Sequence, residues 1–218
     1  MSLELSIRTA EAGTDTFVPA DHLLGIVQHC VASLRDTRIV LRGKDELVIF
    51  PERGIYYASI QDMAEFCRAP AAQFESESVD KTTLPYISGT GKSINHLLWQ
   101  AAFHVSQGRL IEGCSKYDVV QLRHWPNLPR LPVTPNAARI CALLTRHPTT
   151  VMLIHRVLGI DKEEVYQIYS SAYSAGLGQL ISRNPAQHAF EESADDTPFE
   201  PVADRGIFRS LFAKISRL

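Results

Sequence analysis

From Trp125 to Pro135 the chain reads WPNLPRLPVTP, four prolines in eleven residues. Proline lacks a backbone N–H and fixes φ, so neither a helix interior nor a central strand tolerates this density. The segment must run extended and stiff, and it divides the N-terminal stretch of the chain from the C-terminal one. A module boundary near residue 131 is the consequence. Strand-like and helix-like patterns alternate before it, and purely helical spacing begins after it. The expected fold class is α+β: a mixed domain over residues 1–130 with an antiparallel meander, a small three-helix module over 131–186, and a terminal segment over 187–218. The 218 residues, 45% of them hydrophobic, suffice for one domain plus a smaller module.

In the first domain, LELSIRT over residues 3–9 alternates Leu3, Leu5 and Ile7 with polar neighbours, the period of a half-buried strand. Leu23, Leu24, Ile26, Val27, Cys30, Val31 and Leu34 recur at the spacing of one helix face and predict a helix over 20–35. Three β-branched or aromatic runs come next, separated by the turn signals Gly43-Lys44-Asp45 and Pro51-Glu52-Arg53-Gly54. They predict a three-stranded antiparallel meander. A short helix near 60–68 and a strand near 73–79 come after it. A helix bearing Ile94, Leu97, Leu98, Ala101, Ala102 and Val105, stopped by Gly108, and a strand over 117–125 complete the domain.

Gly91-Lys92-Ser93 stands ahead of that apolar helix and invites comparison with a nucleotide-binding loop. Such a loop needs a further glycine five residues earlier, so that backbone N–H groups converge on the phosphates, and Tyr86 stands there. Residues Ser88 to Ser93 are therefore expected to form a turn and a helix N-cap. No cofactor is expected. His22, His29 and Cys30 share a predicted helix, but neighbours on a helix project about 100° apart, so neither a metal site nor a Cys–His nucleophile is assembled. The four cysteines are far apart with no C-x-x-C pair, the usage of buried free thiols in a reducing compartment. Twenty-two Lys and Arg against 24 Asp and Glu leave a net charge of −2, so any attraction to nucleic acid or membrane must be local. The N-terminus has no basic start and apolar core of a secretory signal, and no apolar run reaches spanning length, so a cytoplasmic location is expected.

After the prolines, Thr134-Pro135 opens a helix with Ala137, Ile140, Cys141 and Leu144 inward. Pro148-Thr149-Thr150 opens a second, closed by Leu158-Gly159. Asp161 caps a third, with Glu164 at capping-box spacing and Val165, Ile168, Tyr169 and Ala172 on one face. This succession, RICALLTRHPTTVMLIHRVLGIDKEEVYQIYSSAYSAGLGQL, resembles the winged-helix or helix-turn-helix modules of bacterial regulators, with Gly178 to Arg183 as one short wing strand. The resemblance implies a DNA-reading third helix. That helix begins Asp161-Lys162-Glu163-Glu164, three acids against one base, which opposes a polyanion. Its expected outward residues, Tyr166, Gln167, Ser170, Tyr173 and Ser174, are of the kind found at protein interfaces. Arg139, Arg146, Arg156 and Arg183 keep weak DNA contact open.

Residues Phe190 to Asp204 carry six acids and no base, a solvated linker. In DRGIFRSLFAKISRL the sign reverses: Ile207, Phe208, Leu211, Phe212, Ile215 and Leu218 share a helical face, with Arg205, Arg209, Lys214 and Arg217 away from it. Such a basic amphipathic helix suits docking on a protein, on a membrane surface or on its own domain. The interaction residues expected are Tyr166, Gln167, Tyr173, Phe208, Arg209, Leu211, Phe212, Lys214 and Ile215. With no catalytic cluster, the leading expectation is a non-enzymatic bacterial regulatory or adaptor protein acting through protein contacts, cytoplasmic or peripheral to the inner membrane. A transcription regulator with a ligand-sensing N-terminal domain is the second reading, and an anion-binding enzyme using the Gly89–Ser93 turn the third.

Overall fold

The computed structural model describes residues 15–79 and 90–183. The strand expected over 3–9 and the basic helix after residue 204 lie outside the described residues. β1 (Thr16–Phe17) leads through a proline-started 3-10 turn into α1 (Leu23–Ser33). The expected meander forms as β2 (Thr37–Leu41), β3 (Asp45–Phe50) and β4 (Ile55–Ser59). After α2 (Met63–Arg68), β5 (Phe74–Ser78) returns to pair with β2, and β6 (Lys92–Ser93) pairs with β4. The sheet order is β5-β2-β3-β4-β6, antiparallel throughout. Asp62 starts α2 by accepting the backbone N–H groups of Ala64 and Glu65.

Strand periodicity decides the two faces of this sheet. Ile39, Leu41, Leu47, Ile49 and Tyr56 turn to one side and meet α1, α2 and α3 (Ile94–Ser106) in a first core. Arg38, Glu46 and Glu77 turn to the other side, where Arg38 bonds both carboxylates across the strands.

Beyond α3 the chain forms β7 (Leu110–Ile111), parallel to β1, then β8 (Val119–Leu122) and α4 (Ala137–Arg146). β9 (Thr149–Thr150), α5 (Val151–Leu158), α6 (Lys162–Ser174) and β10 (Gly178–Ser182) complete the described residues. β10, β8 and β9 make a three-stranded antiparallel sheet in that order. Val120 and Leu122 of β8 pack on Ile140, Leu144, Val165 and Tyr169 in a second core.

α3 belongs to both cores. Leu97, Leu98, Ala101 and Val105 enter the first, while Trp99, fully buried, enters the second. The indole Nε1–H of Trp99 donates to the Pro132 carbonyl at 2.9 Å. The proline-rich segment is therefore strapped onto the helix, and Leu128 and Leu131 pack on the second core. No separation of packing falls at residue 131 among the described residues. They belong to one compact unit, and the division of the chain falls between Asn184 and Pro185.

Candidate interaction surfaces

α6 is the element the sequence singles out, and eight of its thirteen residues are buried. One side faces α4 and α5 through Val165, Ile168 and Ala172, as the periodicity predicts. The other side is covered by α3 and β7. The Ser170 hydroxyl accepts the Ile111 N–H at 3.0 Å, and the Gln167 side-chain amide donates to the Phe103 carbonyl at 2.9 Å. Tyr166 keeps 2% of its surface, and Ser170 and Ser174 are buried. This corrects the outward placement of Tyr166, Gln167, Ser170 and Ser174. Tyr173 alone of the five is exposed, at 39%. One apolar face does not here mean one buried face. The small residues Ser170, Ser171 and Ser174 let a second helix approach, and they are the signal by which the covered face is detectable.

The polar start of α6 is engaged locally. Asp161 makes no side-chain cap, contrary to the expected capping box. The Glu164 carboxylate instead accepts the Asn136 backbone N–H at 2.6 Å and its side-chain amide at 3.0 Å, serving the exposed end of α4. Burial raises the Glu164 pKa, but the hydrogen bonds from Asn136 outweigh it and hold the carboxyl below its ordinary range. Gly108, φ +85°, stands close by: a Cβ on it would lie 2.8 Å from the Cβ of Glu163. Of the bases counted toward DNA, Arg139 donates to Asn136 and the Leu158 carbonyl, and Arg183 to the Gly113 carbonyl.

Gly91-Lys92-Ser93 does not open a loop around an anion in the described residues. Lys92 and Ser93 are strand β6, and a Cβ on Gly91 would sit 3.1 Å from the Ile55 side chain. Ser93 precedes α3 without a side-chain cap, which corrects the expected hydroxyl cap. The Ile94 N–H bonds the Gly54 carbonyl instead. Residues 80–89 lie outside the described residues.

Burial mutes three of the cysteines and His104. All four cysteines are free. Burial pushes the Cys67 and Cys141 thiols up to about 12. It also raises the Tyr169 hydroxyl, beside Cys114, far above its ordinary range. His104 is held low by burial and by Arg68. Among the described residues no three His, Cys, Asp or Glu side chains are gathered as a metal site, and no helix is long and apolar enough to cross a membrane.

Two surfaces remain open. Trp125, just past β8, is 51% exposed, Ile181 of β10 is 46% exposed, and Tyr173 packs its backbone against Gly178 at the start of β10. Each is a large exposed side chain at or near the β8–β10 pair. The second surface is the edge of β5, which no strand among the described residues pairs, next to a cavity of about 460 Å³ lined by Ile26, His29, Cys30, Ser33, Ser76 and Ser78. Phe208, Arg209, Leu211, Phe212, Lys214 and Ile215, the expected residues of the terminal helix, lie outside the described residues. No family model, curated protein or solved structure matches this chain.

Proposed function

We propose that this protein is a non-enzymatic regulatory adaptor that works through protein–protein contacts. In this reading α4, α5 and α6 form a helix-turn-helix-like module, with β8 and β10 in the place of a wing. The observation that carries it is the covering of α6. A recognition helix must lay a free face in the major groove, about 12 Å wide. Here that face is given to α3, with Gln167 spent on Phe103 and Tyr166 buried. The acids Asp161 and Glu163 at its start repel phosphate. The exposed Trp125, Tyr173 and Ile181, at or near β8–β10, and the β5 edge suit protein partners. The sequence after residue 204, outside the described residues, carries the spacing of a basic amphipathic helix with Phe208 and Phe212 on its apolar face, and this pattern supports a third contact with a partner or a membrane surface.

The test is cross-linking of the full chain in cells, followed by capture and identification. A defined partner should appear near stoichiometry and be lost from one of two variants, Trp125→Glu with Tyr173→Glu or Phe208→Glu with Phe212→Glu. Sequence-specific DNA binding at nanomolar protein and physiological salt would replace this reading with that of a transcription regulator.

A further inference from the structure

The structure points to the free edge of β5 as a docking strand, and we propose that it takes an extended peptide segment of a partner protein with basic residues at alternate positions. This deepens the adaptor reading and rests on it.

The phase of the edge is fixed by two hydrogen bonds. The Val79 N–H donates to the Asp36 carbonyl, continuing the register in which Ser78 lies opposite Thr37. In an antiparallel ladder the residues that face the neighbour alternate. Val79, Glu77 and Glu75 therefore turn their backbone groups to β2, and Ser78, Ser76 and Phe74 turn theirs outward. The Phe74 N–H agrees with this phase, because it bonds the Ala71 carbonyl away from the sheet. Ser76 and Ser78 thus present N–H and C=O groups along an open edge, and the residues from Glu75 to Ser78 are exposed.

Natural edges are blunted by proline, lysine, bulges or a covering element. β5 has no proline, glycine or lysine, and its five pairs with β2 run without a bulge. Among the described residues its guards are Glu75 and Glu77, both on the face away from α1. They choose the partner. A second copy pairing antiparallel about Ser76 would set Glu75 against Glu77 twice, like charges facing one another, which is destabilising. A strand with Lys or Arg at those positions gains where a copy of this chain loses. Glu77 is already shared with Arg38, which leaves Glu75 as the open carboxylate. On the α1 side, the intervening side chains of the incoming strand meet Ser76, Ser78 and the cavity along α1, which has room for small apolar groups. Backbone bonds then supply affinity, and the alternating side chains supply selection.

The phase also supplies a clean perturbation. Proline at position 76 removes an N–H that points away from β2, so it closes the edge without breaking the sheet. The probe is a fluorescein-labelled alternating lysine–valine hexapeptide, titrated into the full chain, with an alternating glutamate–valine peptide as control. Expected is binding of the basic peptide only, weakened at least about tenfold by Ser76→Pro at an unchanged melting temperature. Glu75→Lys, a second variant that leaves every backbone group in place, should weaken it about three- to tenfold. Amide exchange at Ser76 and Ser78 should be fast in the free chain and slowed by the peptide. No binding, or binding indifferent to both variants, overturns the proposal. So do amides already protected in the free monomer, which would mean that another part of this chain holds the edge, and a dimer that Ser76→Pro disperses. A cellular partner captured equally by Ser76→Pro sinks the edge proposal and leaves the adaptor reading standing. Peptide binding at the edge with no cellular partner sinks the adaptor reading instead.

Discussion

Trp99→Ala tests whether the two cores are one cooperative body. Trp99 sits on α3 among residues of the first core, yet its fully buried ring packs in the second and its Nε1–H holds the Pro132 carbonyl. Burying an indole removes some 150–250 Å² from water, worth roughly 4–6 kcal/mol at ~25 cal/mol per Å². Truncation of a buried Trp to Ala generally costs about 3–5 kcal/mol. Against a total stability of about 5–15 kcal/mol this is a large share. At about 2–4 °C per kcal/mol for a domain of this size, the melting temperature should fall by roughly 6–20 °C. Trp99→Phe keeps most of the apolar volume and orphans only the Pro132 carbonyl, so it should cost about 1–3 kcal/mol. The assay is calorimetry of the full chain with urea unfolding followed by two probes. A single transition, shifted down as a whole, is expected. A second transition that stays at the wild-type temperature would show that the halves on either side of residue 131 unfold independently, and the shared-helix argument would fail.

Other expectations are narrower. Gly108→Ala forces a side chain into a left-handed conformation and against Glu163, 2.8 Å away, and should cost roughly 2–3 kcal/mol by urea unfolding; a neutral result would mean that α6 yields easily. Alkali should destabilise the fold: Cys67 and Cys141 are held to about 12 by burial, whereas unfolded thiols ionise at ~8.5. The unfolded chain therefore loses its protons first, and stability that is complete below pH ~8.5 falls toward pH 12 by about 1.4 kcal/mol per thiol per pH unit. Urea midpoints at pH 8 and 10 check this, and Cys67→Ala should flatten the slope. Magnesium ATP at about 1 mM should leave the melting temperature unchanged, since a ligand at 100 times its dissociation constant would add about 2.7 kcal/mol. A rise abolished by Lys92→Ala would restore the nucleotide reading.

Local signals carried the secondary structure well. The meander, α1, α2, β5, α3, β8 and the helices α4, α5 and α6 stand close to where period, caps and turn residues put them, because each of those signals is written within a dozen residues. The local pattern does not encode which polar face meets a distant element. Glu164 looks like a capping-box partner of Asp161, three residues away, but serves Asn136, 28 residues away. Ser93 looks like a cap, but the Gly54 carbonyl just ahead of β4 takes its place at the start of α3. The proline run excludes helix and central strand as expected, but a 3-10 turn over Leu128–Arg130 breaks the extended path the prolines suggested, and its anchorage to Trp99 depends on a residue 33 positions upstream. Of the expected interaction residues, Tyr166 and Gln167 were drawn inward by the same kind of distant partner, and Tyr173 kept its exposure.

The covering of α6 also bears on whether this helix could read DNA. A helix that reads DNA keeps its outward face polar and long-sided, since Arg, Lys, Asn and Gln must reach base edges. α6 carries Ser170, Ser171 and Ser174 instead, side chains too short to reach a base and suited to close helix contact. Once α3 occupies that contact, the helix is worth more to the fold than to any groove: Gln167 and Ser170 bond the Phe103 carbonyl and the Ile111 N–H, which would otherwise be buried without partners. Freeing the face for DNA would expose Tyr166 and strip those backbone groups at once, so opening is opposed by the core itself. The surfaces that cost nothing to offer are the ones already open, the β5 edge and the exposed side chains Trp125, Tyr173 and Ile181. On the proposed adaptor reading, contact with other proteins would fall to them, because no part of the fold must come apart to provide it.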